Sequence, residues 1–219
     1  MIREVTQIIV RDLNIARYSG GSWSQGAIFF VLFTLLAAFA LGPEQAARAN
    51  MAPALIWLAA TLSSQLALGH MFTGDLGNGM LDCWKTSNRH ISSFVIGKFI
   101  THWALVFGPI LLMAPLGALM LGAPVSTLAP LLVSLLIGGP ALILFGGMAA
   151  ALTANTKGNG LLVVLLSGPL LASPLIFGVG AVQAELINTI DLKILGAISL
   201  AASVLCPIIS IAALKVHLE

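Results

Sequence analysis

The sequence predicts an all-α polytopic membrane protein with six transmembrane helices, and three observations support this fold class. Of the 219 residues, 58% are hydrophobic and only 8% are charged, whereas a soluble globular domain has about 25% charged residues. The apolar residues fall into six runs near the roughly 20 residues that a spanning helix needs. None of the six runs contains Asp, Glu, Lys or Arg. We therefore expect a single transmembrane domain over residues 1–219.

The first predicted element is an amphipathic helix that precedes the spans. Apolar side chains recur at helical spacing through residues 1–18, namely Ile2, Val5, Ile9, Leu13 and Ala16. Charged side chains fall largely elsewhere on the helical wheel, namely Arg3, Arg11, Asp12 and Arg17. This pattern is typical of a helix lying in the inner membrane interface with its arginines near lipid headgroups. A cytoplasmic extension of the first span is the alternative, although Gly20-Gly21 favours a bend before that span.

The six apolar runs are the predicted spans. Their approximate bounds are 25–41, 51–69, 99–121, 128–151, 161–182 and 194–214. Glycine, proline and charged residues between the runs are signals that end helices. The first run is the shortest, and we expect its helix to begin near Ser22. In a five-helix alternative, the second or the fifth run would be re-entrant.

Lysine and arginine in the loops predict the orientation. With the N-terminus inside, the cytoplasmic segments carry eight of them, namely Arg3, Arg11, Arg17, Lys85, Arg89, Lys98, Lys157 and Lys215. The outer loops carry two, which are Arg48 and Lys193. Because positive charge is enriched in cytoplasmic loops, this bias predicts that both termini lie in the cytoplasm.

The longest polar stretch on the cytoplasmic side runs over residues 70–98. Apolar side chains four residues apart predict one face of a short amphipathic helix, and these are Leu76, Met80 and Trp84. Polar side chains line its other faces, and these are Asp75, Asn78, Asp82 and Lys85. Gly77 and Gly79 weaken such a helix by about 1 kcal/mol each relative to alanine, so it needs a partner surface to be well ordered. A solvated connecting loop is the alternative.

The sequence contains no recognisable catalytic motif. It has no G-x-x-x-x-G-K-[ST], no H-E-x-x-H and no G-x-S-x-G, so P-loop ATP binding and the common hydrolytic sites are not expected. Cys83 and Cys206 form no metal-binding or haem-attachment motif and are interpreted as isolated thiols. We expect no catalytic residue and no metal site. Energy would come from another subunit, and the amphipathic segment is the surface best placed to receive it.

A second group of candidate residues lies near the cytoplasmic ends of the second and third predicted spans. It forms an inner-interface polar site made of His70, Lys98, His102 and Trp103. Two histidines at one depth could ligate haem iron. Alternatively, each histidine could cap its helix or contact headgroups, and Trp103 fits an aromatic belt at the interface. We assign no bound cofactor to the chain.

Short motifs follow one another at consistent spacing along nearly the whole chain. They are Gly42-Pro43-Glu44, Asp75-Leu76-Gly77-Asn78-Gly79-Met80-Leu81, the Lys98…His102-Trp103 pattern, Gly108-Pro109, Gly139-Pro140 and Gly168-Pro169. In this order they resemble the haem exporter B (CcmB) family, the permeases of an ABC transporter in cytochrome c maturation. Three differences fall in or beside the loop motif. Gly74 precedes Asp75 where the family begins the loop with an acidic pair, Asn78 stands where the family has a second aspartate, and residues 84–88 replace a Leu-Pro-Leu-Pro-like turn.

The resemblance implies an ABC-2-like permease fold in the cell inner membrane. It implies a separate cytoplasmic ABC ATPase subunit and haem-handling membrane proteins as partners, with haem as the transported or handled substrate, and it is compatible with a homodimer. The ATPase-coupling loop would comprise Asp75, Leu76, Gly79, Met80, Asp82, Trp84 and Lys85. Two alternatives stay open. One is a non-transporting scaffold that couples ATP hydrolysis to release of a haem-loaded chaperone, and the other is an ABC-2 permease for another amphipathic substrate.

Overall fold

The computed structural model describes residues 1–19, 22–69, 71–87, 89–156, 159–183 and 186–217, and most of them are helical. The helices are α1 Ile2–Ser19, α2 Ser22–Ala40, α3 Gln45–Leu68, α4 Thr73–Gly77, α5 Met80–Thr86, α6 Ile91–His102, a π-helix Trp103–Phe107, α7 Gly108–Met120, α8 Val125–Leu152, α9 Asn159–Gly180 and α10 Thr189–His217. A two-residue antiparallel hairpin, β1 Val182–Gln183 with β2 Leu186–Ile187, precedes α10. The all-α fold class is confirmed.

Among the described residues, five helices are long and apolar enough to cross a membrane. They contain α3, the continuous stretch from α6 to α7, α8, α9 and α10. A shorter apolar helical stretch, Ser24–Ala40, corresponds to the first predicted span. The molecule is thus a multi-pass membrane protein whose apolar helices match the six runs seen in the sequence.

The third apolar helix begins at Ile91, earlier than the predicted start near residue 99, and it contains a π-helix. The backbone N–H of Gly108 donates to the carbonyl of Trp103, five residues earlier. Proline has no N–H, and in a regular α-helix its ring clashes with the carbonyl four residues before it. The wider π turn ends just before Pro109, which accounts for its position because the irregular turn relieves that clash.

The central helix is α8, which contacts α3, α7, α9 and α10. Trp57 of α3 is fully buried against it, and its Nε1 donates to Ser134 Oγ at 3.1 Å. The indole lies against Gly138 of α8 and Gly178 of α9, where an added Cβ would come within 2.4 Å and 2.3 Å of the ring. These two glycines therefore provide the space that the tryptophan ring occupies.

The N-terminal helix α1 packs on α6. Ile8 is almost fully buried, and a Cβ added to Gly97 would lie 2.9 Å from its side chain. The helix predicted over residues 1–18 is confirmed, but Ile8 and Asp12 are its most buried side chains. The face that α1 turns inward is therefore partly polar, because it faces charged groups on other helices. Its position in the membrane interface stays a prediction.

The single amphipathic helix predicted around residues 76–84 is corrected by the structure to two short helices, α4 and α5. They are separated at Gly79, whose φ of +65° lies in the left-handed region that favours glycine. Trp84 of α5 is buried, with its ring centroid 5.9 Å from that of Phe94 on α6. The Trp84 side chain thus anchors α5 to α6 and does not form part of an exposed face.

Candidate functional site

Four charged side chains from three helices meet near the N-terminal end of the third apolar helix. Lys98 Nζ lies 3.0 Å from Asp12 Oδ2 and also contacts Asp75. Arg11 Nη1 lies 3.1 Å from Asp12 Oδ1, and its other terminal nitrogen contacts Asp75 Oδ1. Each carboxylate therefore touches both cations. We call this group, Arg11, Asp12, Asp75 and Lys98, the ion cluster.

Three members of the ion cluster are removed from solvent. The exposed fractions are 7% for Asp12, 5% for Asp75 and 6% for Lys98. Arg11 is partly exposed, with 29% of its side chain accessible. Burying charge is expensive unless it is paired, and removing one partner of a buried pair leaves an uncompensated charge. The two positive and two negative charges balance. Separating any one member would leave a buried charge without its partner, which is unfavourable.

The structure joins two candidate residues, Asp75 and Lys98, to two that sequence reasoning did not assign to the site. Arg11 and Asp12 were interpreted as the lipid-headgroup face of α1. In the structure they face the protein and pair with groups 64 and 86 residues further along the chain. One signal could have indicated this. A lysine at the start of an apolar helix needs a carboxylate partner, and such ionisable groups are candidates for functional roles.

Arg89, which follows α5, connects the segment formed by α4 and α5 to α1. Its Nη1 donates to Gln7 Oε1 at 2.9 Å, and its guanidinium carbon lies 4.7 Å from the centroid of the Trp84 ring. Trp84 Nε1 donates to the carbonyl of His90 at 3.1 Å. The segment formed by α4 and α5 is therefore held at both ends, through Asp75 before α5 and Arg89 after it. We call the segment over residues 73–86 the docking segment.

The docking segment also has an outward side. Gly77, Asn78 and Cys83 are exposed, while Leu76 and Met80 are half-buried against the core. The side chains of Asp82 and Lys85 lie outside the described set. Of the residues predicted for the coupling loop, Asp75 and Trp84 are buried and face the rest of the protein. The inner side of the segment is thus packed on α6, and its outer side is exposed.

The predicted inner-interface polar site stays a prediction, because the described residues include only three of its four members. His102 Nδ1 lies 3.0 Å from the carbonyl oxygen of Lys98. A carbonyl only accepts, so Nδ1 carries the proton and Nε2 is left as an acceptor. The Lys98 side chain joins the ion cluster instead, and His70 lies outside the described residues. The Trp103 Nε1 atom is buried and has no hydrogen-bond partner among the described residues.

An open apolar pocket of about 320 Å³ lies between the third apolar helix and α8. It lies along a stretch where Phe107 and Phe99 pack onto Gly139 and Gly147 of α8. Its lining consists of Phe99, Ile100, Trp103, Pro140, Ile143 and Leu144. None of these six is a histidine, cysteine or methionine, so the lining itself contains no axial ligand for haem iron. Among the described residues, no group of three or more His, Cys, Asp or Glu side chains could hold a metal ion.

Comparison with known proteins gives full-length matches. The family model of the CcmB protein matches residues 3–217. The heme exporter protein B of Paracoccus denitrificans (strain Pd 1222) is 36% identical over 215 residues, covering 97% of this chain and 99% of that protein. The heme exporter protein B of Rhodobacter capsulatus is 37% identical over 215 residues, with the same coverage. That of Escherichia coli (strain K12) is 34% identical over 211 residues, covering 95% and 96%.

Proposed function

The chain belongs to the CcmB protein family, and on that premise we propose that it is the membrane permease subunit of an ABC-type complex in haem export for c-type cytochrome biogenesis. Near-complete coverage of relatives named heme exporter protein B supports this function. So does the set of long apolar helices that makes it a multi-pass membrane protein. A separate ATPase subunit supplies the energy, since the chain has no P-loop motif.

The ATPase subunit binds the docking segment from the cytoplasm in this proposal. The support is the two-sided character of the segment. Asp75 and Trp84 fix its inner side to α6 and α1, while Asn78 and Cys83 are exposed on the outer side. A surface that receives a mechanical load must be attached firmly to the element that it moves. Here that element is the third apolar helix, which begins at Ile91, a few residues after the end of the docking segment at Thr86.

In this proposal the protein lies in the cell inner membrane. The excess of lysine and arginine in the segments on the same side as the N-terminus supports an orientation in which both termini lie in the cytoplasm. Haem-handling membrane proteins complete the assembly in this proposal, and haem is the substrate that the complex exports or hands on. The chain itself is assigned no cofactor and no catalytic group.

Deletion of the coding region is expected to abolish holo c-type cytochromes, which are detected as haem-stained bands in membranes. A plasmid copy should restore them, and the apo-cytochrome should still be present in the deletion strain. Wild-type levels of holo-cytochrome in the deletion strain would reject haem export and leave a permease for another amphipathic substrate. Normal maturation in a strain with a catalytically inactive ATPase subunit would instead indicate a scaffold that only assembles its partners and does not use ATP hydrolysis.

The two natural cysteines allow the docking surface to be tested without introducing a new cysteine. Cys83 is exposed on the docking segment, whereas Cys206 is buried in α10. A membrane-impermeant maleimide should label Cys83 in inside-out vesicles and not in right-side-out vesicles. Adding the ATPase subunit should slow labelling by about fivefold or more, because interface contacts exclude solvent.

The matched control for this labelling is Cys83→Ser, which should remove the signal and leave only the buried Cys206. Labelling of Cys83 from the opposite side would reverse the orientation. An unchanged labelling rate in the presence of a bound ATPase subunit would place the docking surface elsewhere.

A further inference from the structure

We propose that the N-terminal helix α1 is part of the coupling unit, and that Arg11 and Asp12 are positioning residues that make α1, the docking segment and α6 move as one body. This inference rests on the proposed function, since it requires that a partner loads the docking segment. It assigns to α1 a role beyond that of an interfacial anchor, which was its interpretation from the sequence.

The first support is the source of the charges in the ion cluster. α1 supplies Arg11 and Asp12, the docking segment supplies Asp75, and α6 supplies Lys98. Arg11 bridges α1 to the docking segment, and Asp12 bridges α1 to α6. Any displacement of one helix relative to the other two would separate opposite charges in a site shielded from water. Such separation is unfavourable because the attraction is strong where the effective dielectric constant is low.

The second support is close packing at the same face of α1. Ile8, Arg11 and Asp12 are spaced three and four residues apart, so they project from one side of the helix. Ile8 sits against the backbone at Gly97, one residue before Lys98. The apolar contact and the charged contact therefore fix the same register between α1 and α6. A sliding motion would break both at once.

The third support is a second attachment point. Arg89 follows the docking segment and donates to Gln7 of α1, while its guanidinium also lies over the Trp84 ring. Together with the Arg11 contact to Asp75, α1 holds the docking segment at both of its ends. Two separated attachments resist rotation, which one contact would allow. A force applied to the outer face of the docking segment is thus passed to α6, and α1 does not rotate relative to either of them.

The double variant Arg11→Gln/Asp12→Asn tests the role of these positioning residues. It removes one charge of each sign and leaves the pair of Asp75 with Lys98. Holo c-type cytochrome per membrane-assembled permease should fall about tenfold, which is the size of effect expected when coupling is lost. Co-purification of the ATPase subunit should stay near the wild-type level, because the outer face of the docking segment is unchanged. The control Arg3→Gln changes an exposed arginine of the same helix and should leave both quantities unchanged.

The amount of holo-cytochrome per assembled permease distinguishes a loss of coupling from a loss of folded permease. If the double variant only lowers the amount of permease while output per permease is unchanged, the proposal is overturned. If the deletion strain lacks c-type cytochromes and the double variant matures them normally, the proposed function stands and this inference falls. If the deletion strain itself makes holo-cytochrome, the proposed function has failed first.

A cross-link at an exposed contact provides a second measurement. The variant Gln7→Cys/Arg89→Cys, introduced with Cys83→Ser, places two thiols on exposed positions whose side chains touch in the wild type. Joining them with a short bis-maleimide in the reconstituted complex should leave ATP-dependent output unchanged, since α1 and the docking segment move together. Loss of output after cross-linking, absent from the two single-cysteine variants treated in the same way, would show that α1 has to separate from the docking segment and would overturn the proposal.

Discussion

Replacing Lys98 with methionine is expected to lower the free energy of unfolding by about 3–5 kcal/mol, the usual effect of removing one partner from a buried ion pair. Lys98 contacts both Asp12 and Asp75, and all three side chains are buried. Without it, two carboxylates remain close together with only the partly exposed Arg11 to balance them. SDS-induced unfolding in mixed micelles, followed by circular dichroism, measures the change.

Two companion variants make the Lys98 result interpretable. Lys215→Met removes an exposed lysine near the end of α10 and should change stability by less than about 0.5 kcal/mol. The double variant Lys98→Met/Asp12→Leu removes one charge of each sign and keeps the pair of Arg11 with Asp75. It should be clearly more stable than Lys98→Met alone, because no uncompensated charge is left. A single variant as stable as wild type would contradict the assignment of a buried ion cluster.

Gly178→Ala is expected to destabilise the helix bundle by about 2–3 kcal/mol, within the range observed for overpacked cores. The added methyl would lie 2.3 Å from Cζ2 of the Trp57 ring. The ring cannot shift freely, because Gly138 lies on another side of it and Ser134 holds its Nε1. Because α3, α8 and α9 all meet at this ring, the clash should separate them. The same SDS titration measures the loss.

Gly168→Ala is the matched control for Gly178→Ala. It lies on the same helix α9, and no atom lies within 4 Å of a Cβ placed there. Alanine in place of a helical glycine is intrinsically favourable by up to about 1 kcal/mol, so the control should be neutral or stabilising. The smaller ring of Trp57→Phe should relieve part of the Gly178→Ala effect, giving a non-additive double-mutant cycle. Equal effects at Gly178 and Gly168 would exclude a steric clash with Trp57.

The apolar helices were well predicted because a span is a local property of the chain. Lipid contact requires a contiguous apolar run, and each run can be recognised without knowing its neighbours. The boundaries were less accurate where a charge has a distant partner. The third apolar helix begins at Ile91 and so includes Lys98, whose charge is paired with Asp12 and Asp75 in the ion cluster.

The candidate site was predicted only in part. Asp75 and Lys98 were named from the sequence, and both belong to the ion cluster. Arg11 and Asp12 were missed because the helical wheel of α1 shows a polar face but not what that face contacts. Trp84 was placed on the docking face because its spacing from Met80 fits an amphipathic helix. The turn at Gly79 and the packing on Phe94 direct Trp84 inward instead.

The sequence by itself determined which segments enter the membrane, the helical nature of the N-terminus and the family resemblance, because each depends on composition and order along the chain. The tertiary structure decided which charges pair and which glycines provide space. Arg11 meets Asp75 across 64 residues, and Trp57 occupies the space left at Gly138 and Gly178. Such contacts depend on how helices pack against one another, and periodicity within one helix does not specify its partner. The apolar runs themselves contain no Asp, Glu, Lys or Arg, and four charges outside these runs hold α1, α4 and α6 together.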